Sequence, residues 1–494
     1  MVSKLTRRGF VSALGASAAS AVWANAPQVS VRPSARPLIT DRTRPKARPS
    51  LANLIANAGI SGGVGVVLAD ATTGEILDQH LPDVAVPPAS VTKVVTALYA
   101  LDALGPDHQF QTRLLATGPI SDGVLYGDLI LAGGGDPNLL TDDLARLSQQ
   151  MADTGLIEVK GRFLVYDEAL PNLDEIDESQ LDHLGYNPSI SGLNLNFNRV
   201  HFEWKRQGAS YDVAMDARSA NYRPAVGVAR MRVVDRDLPI YDYKEVDKVD
   251  HWTVAKRALG GSGSRWLPVR QPAKYAAEVF ATFARSDGVA LPVATEINHL
   301  PAAQTLTTIA GLPLTQLMRS MLRFSTNITA EAAGLAASAK QSGRRPRLRT
   351  SAFYMTRWMK QYTGSGPRFY DHSGLADTTR LSPRHMAKLL TGQGIRDQLV
   401  PILKKHNFVD AKGRALSDQP GVVLAKTGTL NFVTTLAGYL TDGSGRDCAF
   451  AIFAADLEAR AAGKLAGDEQ PFGSITFNTK AKALQQALLR RWIQ

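Results

Sequence analysis

Pro87-Pro88-Ala89-Ser90-Val91-Thr92-Lys93 opens the apolar run VVTALYALDALG, and the reading of this stretch decides the fold. Two prolines followed by small residues suit a loop that enters a helix, because proline is tolerated only near the first helical turn. Ser90 then sits at or beside the helix N-terminus, where the first backbone N–H groups lack an intrahelical partner. Those donors and the positive end of the helix dipole can stabilise an oxyanion formed at the serine. Lys93 lies three residues on and shares a helix face with Ser90. Val91, Val94, Val95, Leu98, Leu101 and Leu104 cover much of the remaining surface, so the helix should be buried. A lysine beside a serine in such a place can lose its charge and act as a base. An N-capping serine next to a snorkelling lysine leaves the same local trace. The decision rests on partners elsewhere in the chain.

Two segments supply them. Ser325-Thr326-Asn327 ends one amphipathic helix and precedes another, ITAEAAGLAASAK, so it occupies a helix–helix connection where side chains can project into a cleft. A second S-x-N, Ser219-Ala220-Asn221, lies in a β-rich region without flanking helices and is the weaker candidate. Lys426-Thr427-Gly428-Thr429 falls inside VVLAKTGTLNFVTTLAGYL, which reads as a hairpin of two strands, with the glycine suited to close approach of another segment. K-T-G occurs once.

S-x-x-K, S-x-N and K-T-G in this order form the set shared by penicillin-binding proteins and class A β-lactamases. The residues state their chemistry. Ser90 is the nucleophile and forms an acyl-enzyme, and Lys93 is placed to take its proton. Ser325 can relay a proton to the departing amine, and Asn327 can bind the substrate amide. Lys426 supplies a positive charge that lowers the Lys93 pKa and attracts a substrate carboxylate. The 232 positions between Lys93 and Ser325 imply inserted domains after the first motif. With that insert, the chain from about residue 51 onward resembles the class C low-molecular-mass penicillin-binding proteins, the D-alanyl-D-alanine carboxypeptidase/endopeptidase family. LYGDLILAGGGDPNL, SRWLPVRQP, YDHSGL and KTGTL carry the resemblance further.

The resemblance implies an α/β fold, an α+β transpeptidase/β-lactamase-like domain with a mostly β two-part insertion between the first and second motifs. The catalytic domain is expected over 51–112 and 298–494. Accessory domains fill 113–297, with an inner β part at about 155–270. Ser90, Lys93 and Ser325 are implied as catalytic, and Asn327, Lys426, Thr427, Gly428 and Thr429 as substrate-binding. The backbone N–H groups of Ser90 and Thr429 match the family's oxyanion hole. The implied reaction removes the terminal D-alanine of peptidoglycan stem peptides or cuts D-alanyl cross-links, with β-lactams as the other ligands. A β-lactamase and a non-catalytic wall-binding scaffold are the alternatives. The large insert disfavours the first, and three intact motifs disfavour the second.

Departures from the family pattern concern the rest of the cleft. Where many members have D-G-S-G-L-S-R, this chain has Asp371-His372-Ser373-Gly374-Leu375-Ala376-Asp377, and the arginine is absent. LDHLGYNPSISGLNLNFN stands in the region of a G-W-x-W run, and HNFVDAKGRAL replaces a G-x-D-G-T-L run. These changes bear on the subsite for the diamino-acid side chain. His372 is read either as a polar substitute there or as a surface-loop histidine.

Composition sets the remaining bounds. At 494 residues the chain should form two or three domains, and 44% hydrophobic with 20% charged residues describes a soluble globular protein. The net charge of +11 does not indicate a nucleic-acid partner. Residues 1–26 carry +3 and residues 27–50 carry +5, leaving +3 for everything else. Thr6-Arg7-Arg8-Gly9-Phe10, an Ala/Gly/Ser-rich apolar stretch and Ala24-Asn25-Ala26 read as an export signal ending before Pro27. The twin arginine with Phe10 resembles a Tat signal, and a general secretory signal is the alternative. Both direct a bacterial protein to the periplasm without a membrane span in the mature chain. Residues 27–50, rich in Pro and Arg, read as an extended linker. The lone Cys448 excludes an intrachain disulfide and reads as a core residue. No metal or cofactor is implied, since H-E-x-x-H and clustered ligand patterns are missing. TKAKALQQALLRRWIQ reads as a helix that packs on a sheet.

Overall fold

The computed structural model describes residues 49–410, 412–465 and 469–494. The export signal and nearly all of the linker lie outside the described residues. The described chain, Pro49–Gln494, contains two mixed layers built on separate sheets.

The first sheet has five antiparallel strands, in the order Val423–Leu430, Val433–Thr441, Asp447–Ala455, Gly63–Asp70 and Ile76–His80. Its central strands are apolar at nearly every position because both faces are covered. Along Asp447–Ala455, Cys448, Phe450 and Ile452 face the terminal helices Leu51–Asn57 and Ser474–Ile493. Ala449, Ala451 and Phe453 alternate onto the opposite face. There they meet the helices Thr92–Leu104, Leu314–Phe324 and Leu348–Thr363 through Val94, Leu98, Met318 and Met355. Cys448 is therefore core, and the C-terminal helix lies on the sheet with Trp492 6.0 Å from the Phe450 ring. Asp70 builds the turn between Gly63–Asp70 and Ile76–His80 by accepting from the Thr72 and Thr73 N–H groups.

The second sheet is mixed, in the order Thr295–Ile297, Phe163–Tyr166, Leu129–Gly133, Gln111–Ala116 and Gln304–Ala310. The helices Thr141–Ala152 and Pro272–Ser286 pack on it. Two three-stranded sheets, one from Arg199–Gln207, Ser210–Asp216 and Ser262–Pro268, the other from Ala229–Val234, Tyr241–Val246 and Val249–Ala255, fill the middle of this region.

The alternating stretch LNLNFNRVHFEW is a strand only in its second half. LNLNFN alternates apolar and polar residues, but Asn196, Phe197 and Asn198 all have left-handed φ angles of 50°, 60° and 51°. Asparagine tolerates that region, and here the side chains make it useful. Asn196 Nδ2 donates to Thr141 Oγ1 at 2.8 Å, and Asn198 Nδ2 to the Ser189 carbonyl at 2.9 Å. The pleat begins only at Arg199.

Candidate active site

Pro88 leads into a 3₁₀ turn, Ala89–Val91, which runs into the Thr92–Leu104 helix. Ala89 has φ 48°, so the chain bends sharply just before Ser90 and presents its side chain to a cavity of about 360 Å³. Ser90, Ser325, Asn327, Ser373 and Thr429 all line that cavity. The three motifs meet there although Ser90 and Lys426 are separated by most of the chain.

Lys93 is fully buried, at 0% exposure. Its Nζ donates to Ser90 Oγ at 3.0 Å, Asn327 Oδ1 at 2.7 Å and the Ser373 carbonyl at 2.8 Å. Three acceptors match the three hydrogens of an ammonium. Burial lowers its pKa to about 8, against the pull of Asp371 and Glu331.

Lys426 is 2% exposed, on the edge strand Val423–Leu430. Its Nζ donates to Ser325 Oγ at 3.0 Å and to the Thr427 carbonyl at 2.7 Å. Burial, with the charges of Lys93 and Lys404, lowers its pKa to about 6. The two lysines repel each other, and Asp371 and Glu331 offset that repulsion at Lys93. Burial is the largest cause of the lowered Lys93 pKa.

Ser325 takes the left-handed conformation, φ 62° and ψ 36°, as the C-cap of the Leu314–Phe324 helix, which turns its hydroxyl toward Lys426. Asn327 begins the next helix, Asn327–Ser342. Both ends of its amide are engaged, since Nδ2 also donates to the Tyr186 carbonyl at 2.7 Å. Gly428 is buried, and a Cβ there would lie 2.2 Å from Thr435 Oγ1, which donates to the Pro88 carbonyl, 2.8 Å from that carbonyl and 3.1 Å from Ala89 Cβ. The close approach expected at this glycine is thus to the segment that carries Ser90. Thr427 is exposed and gives its carbonyl to Lys426, while Thr429 lines the cavity. The rival Ser219-Ala220-Asn221 lies elsewhere, with Asn221 donating to Asp142.

His372 is neither in the cavity nor on the surface. It is 0% exposed, its Nε2 is 2.7 Å from Ser351 Oγ, and burial lowers its pKa to about 3, so it stays neutral. A Cβ on Gly334 would lie 2.2 Å from the imidazole, so the room for this ring exists only because residue 334 is glycine.

Several cavity residues were not anticipated. Gln180, Leu181, Leu184 and Tyr186 form a wall from the inserted region. Arg460 and Lys464, on the helix Leu457–Leu465, line the far side and both bind Asp377. Asp377 stands where the family pattern has arginine, so positive charge reaches this wall from another helix. Glu331 and Asp371, both fully buried, lie beneath Lys93. The only local hint of Glu331 is its place four residues after Asn327 on one helix face.

The fold and the three meeting motifs define a serine acyl-transfer enzyme of the penicillin-recognising type. The chain belongs to the D-Ala-D-Ala carboxypeptidase 3 (S13) family, which it matches over residues 47–469. It is 24% identical over 426 residues to the D-alanyl-D-alanine carboxypeptidase DacB of Haemophilus influenzae, covering 80% of this chain and 87% of that protein. It is 25% identical over 307 residues to a D-alanyl-D-alanine carboxypeptidase of an Actinomadura species, covering 58% of this chain and 56% of that one. The crystal structure of penicillin binding protein 4 (dacB) from Haemophilus influenzae superposes with a TM-score of 0.72 at 20% identity. That likeness covers 88% of this chain and 99% of the other and shows the same fold. The same protein complexed with a β-lactam matches with a TM-score of 0.69 at 20% identity, over 88% and 99% of the two chains.

Proposed function

We propose that the protein is a penicillin-binding serine D-alanyl-D-alanine carboxypeptidase that also cuts D-alanyl cross-links of peptidoglycan. The observation that carries this reading is the bonding of Lys93 Nζ to Ser90, Asn327 and Ser373 inside a cavity that Lys426 reaches through Ser325. Lys93, once neutral, takes the Ser90 Oγ proton as Oγ attacks the D-alanyl carbonyl. The N–H groups of Ser90 and Thr429 receive the developing oxyanion. Ser325 passes a proton to the departing amine, and Lys426 holds the terminal carboxylate. Water then hydrolyses the acyl-enzyme. A β-lactam follows the same first step.

The catalytic domain on this reading comprises 51–112 and 298–494, with 113–297 inserted. Separate hydrophobic cores support a two-part division, but the strand Gln304–Ala310 belongs to the second sheet and Ile309 to its core, so the inserted part runs to about residue 310. The strands Gln111–Ala116 and Gln304–Ala310 pair with each other within that second sheet. Tat export to the periplasm, with a mature N-terminus at Pro27, completes the reading. No described helix is long and apolar enough to cross a membrane. N-terminal sequencing of exported protein tests this, and replacing Arg7 and Arg8 by lysine should block export.

The enzymatic test uses purified protein with an uncross-linked pentapeptide and a cross-linked muropeptide. D-alanine release and cross-link cleavage should both occur and both vanish in Ser90→Ala. Activity that persists in Ser90→Ala would overturn the assignment.

A further inference from the structure

Beneath Lys93 lies a pair of acids that none of the three motifs contains. Glu331 Oε2 accepts from the His372 N–H and Oε1 from the Ser373 N–H, each at 2.9 Å. Asp371 accepts from Gly374 N–H at 2.9 Å and Ala376 N–H at 2.6 Å. Thr96 Oγ1 donates to the His372 carbonyl at 2.6 Å, clamping the loop from a third side. The carbonyl of Ser373, in the middle of this clamp, receives the Lys93 hydrogen bond.

We propose that Glu331 is a positioning residue for Lys93: it fixes the Ser373 carbonyl against Nζ, and its negative charge, with that of Asp371, holds Lys93 in the ammonium form until substrate arrives. The proposal rests on the assignment of Lys93 as the base.

The surroundings of Lys93 support it. Glu331 faces it from the Asn327–Ser342 helix and Asp371 from the loop after the Leu348–Thr363 helix, while Lys426 opposes them from the edge strand with Lys404 behind. His372 is neutral and adds no charge. Burial raises both carboxyl pKa values, and with the repulsion of Asp371 takes Glu331 to about 8, while backbone N–H donors pull both down and Lys93 lowers that of Asp371. The four N–H groups aimed at the two carboxyls oppose that rise and favour the charged forms that face Lys93. An ammonium held this way cannot take the Ser90 proton, so the empty site does not deprotonate Ser90.

The test is the pH dependence of acylation by a carboxylate-free thioester, which bypasses Lys426 recognition. In Glu331→Gln the side-chain shape is kept and one charge is removed. Its midpoint should move to lower pH by about one unit or more. Glu331→Asp keeps the charge, so its midpoint should stay with the wild type even where its rate falls. A packing role alone would lower the rate or Tm and leave the Glu331→Gln midpoint in place, and that result overturns the proposal. If Glu331→Gln does not fold, Asp371→Asn carries the same expectation and the same refutation. Lys93→Met separates the two claims. A pH-dependent limb that survives in Lys93→Met refutes Lys93 as the base, whereas loss of that limb with an unmoved Glu331→Gln midpoint refutes only the role of Glu331.

Discussion

Two buried lysines, each 3.0 Å from a motif serine, sit in opposite electrostatic settings. Lys93, on the floor of the site, has three acceptors and two carboxyl groups nearby. Lys426, on the sheet edge, has two acceptors among the described residues and only like charges around it. The floor therefore favours an ammonium that must be discharged, and the edge favours an amine that awaits an anion. A motif comparison treats both as lysines of equal standing. Their surroundings divide the labour.

Removing the floor lysine should have the largest effect. Lys93→Met should slow acylation by penicillin and by a neutral thioester alike, by about 10²–10⁴-fold, as expected for loss of a general base. Stopped-flow acylation rates check this, and selective loss with one substrate would break the comparison.

Next in size is the pH dependence of the intact enzyme. With Lys93 near pKa 8, a base that must be neutral is mostly charged below that pH. The acylation rate of the thioester should rise about tenfold per unit toward a plateau above pH 8. A flat profile from pH 6 to 9 would mean that Lys93 is already neutral in the empty site.

The smallest effect is expected at the rim, where Asp377 binds Arg460 and Lys464 in a partly exposed setting. Asp377→Asn should change D-alanine release from a pentapeptide by about two- to fivefold, the scale of an exposed ion pair. Thioester acylation should be unchanged. An equal loss with the thioester would place this cluster in the chemistry rather than at the peptide.

The legible parts of this site are those with local causes. Ser90 and Lys93 share a face because they are three apart on a helix, and Gly428 is glycine because a strand passes close to the Pro88–Ala89 turn. The hidden parts depend on contacts across the chain. In sequence His372 reads as a subsite residue or a surface-loop histidine, but Glu331, 41 positions before it, accepts its N–H and Gly334 leaves space for its ring. The alternation in LNLNFN was turn chemistry in the pattern of a strand, since buried asparagines fill left-handed positions. Arg460 has no signal near Asp377 in sequence, 83 positions away. The edges of the insert were blurred for a similar reason, because Gln111–Ala116 pairs with Gln304–Ala310 across the whole inserted region.

The most direct test of the division between the lysines is the ratio of acylation rates, penicillin over carboxylate-free thioester, in Lys426→Ala and Lys93→Met. A charge-assisted hydrogen bond to the carboxylate is worth roughly 1.5–3 kcal/mol, so the ratio should fall about ten- to a hundredfold in Lys426→Ala. In Lys93→Met both rates should fall together and the ratio should hold. An unchanged ratio in Lys426→Ala, or a collapsed one in Lys93→Met, would contradict the account.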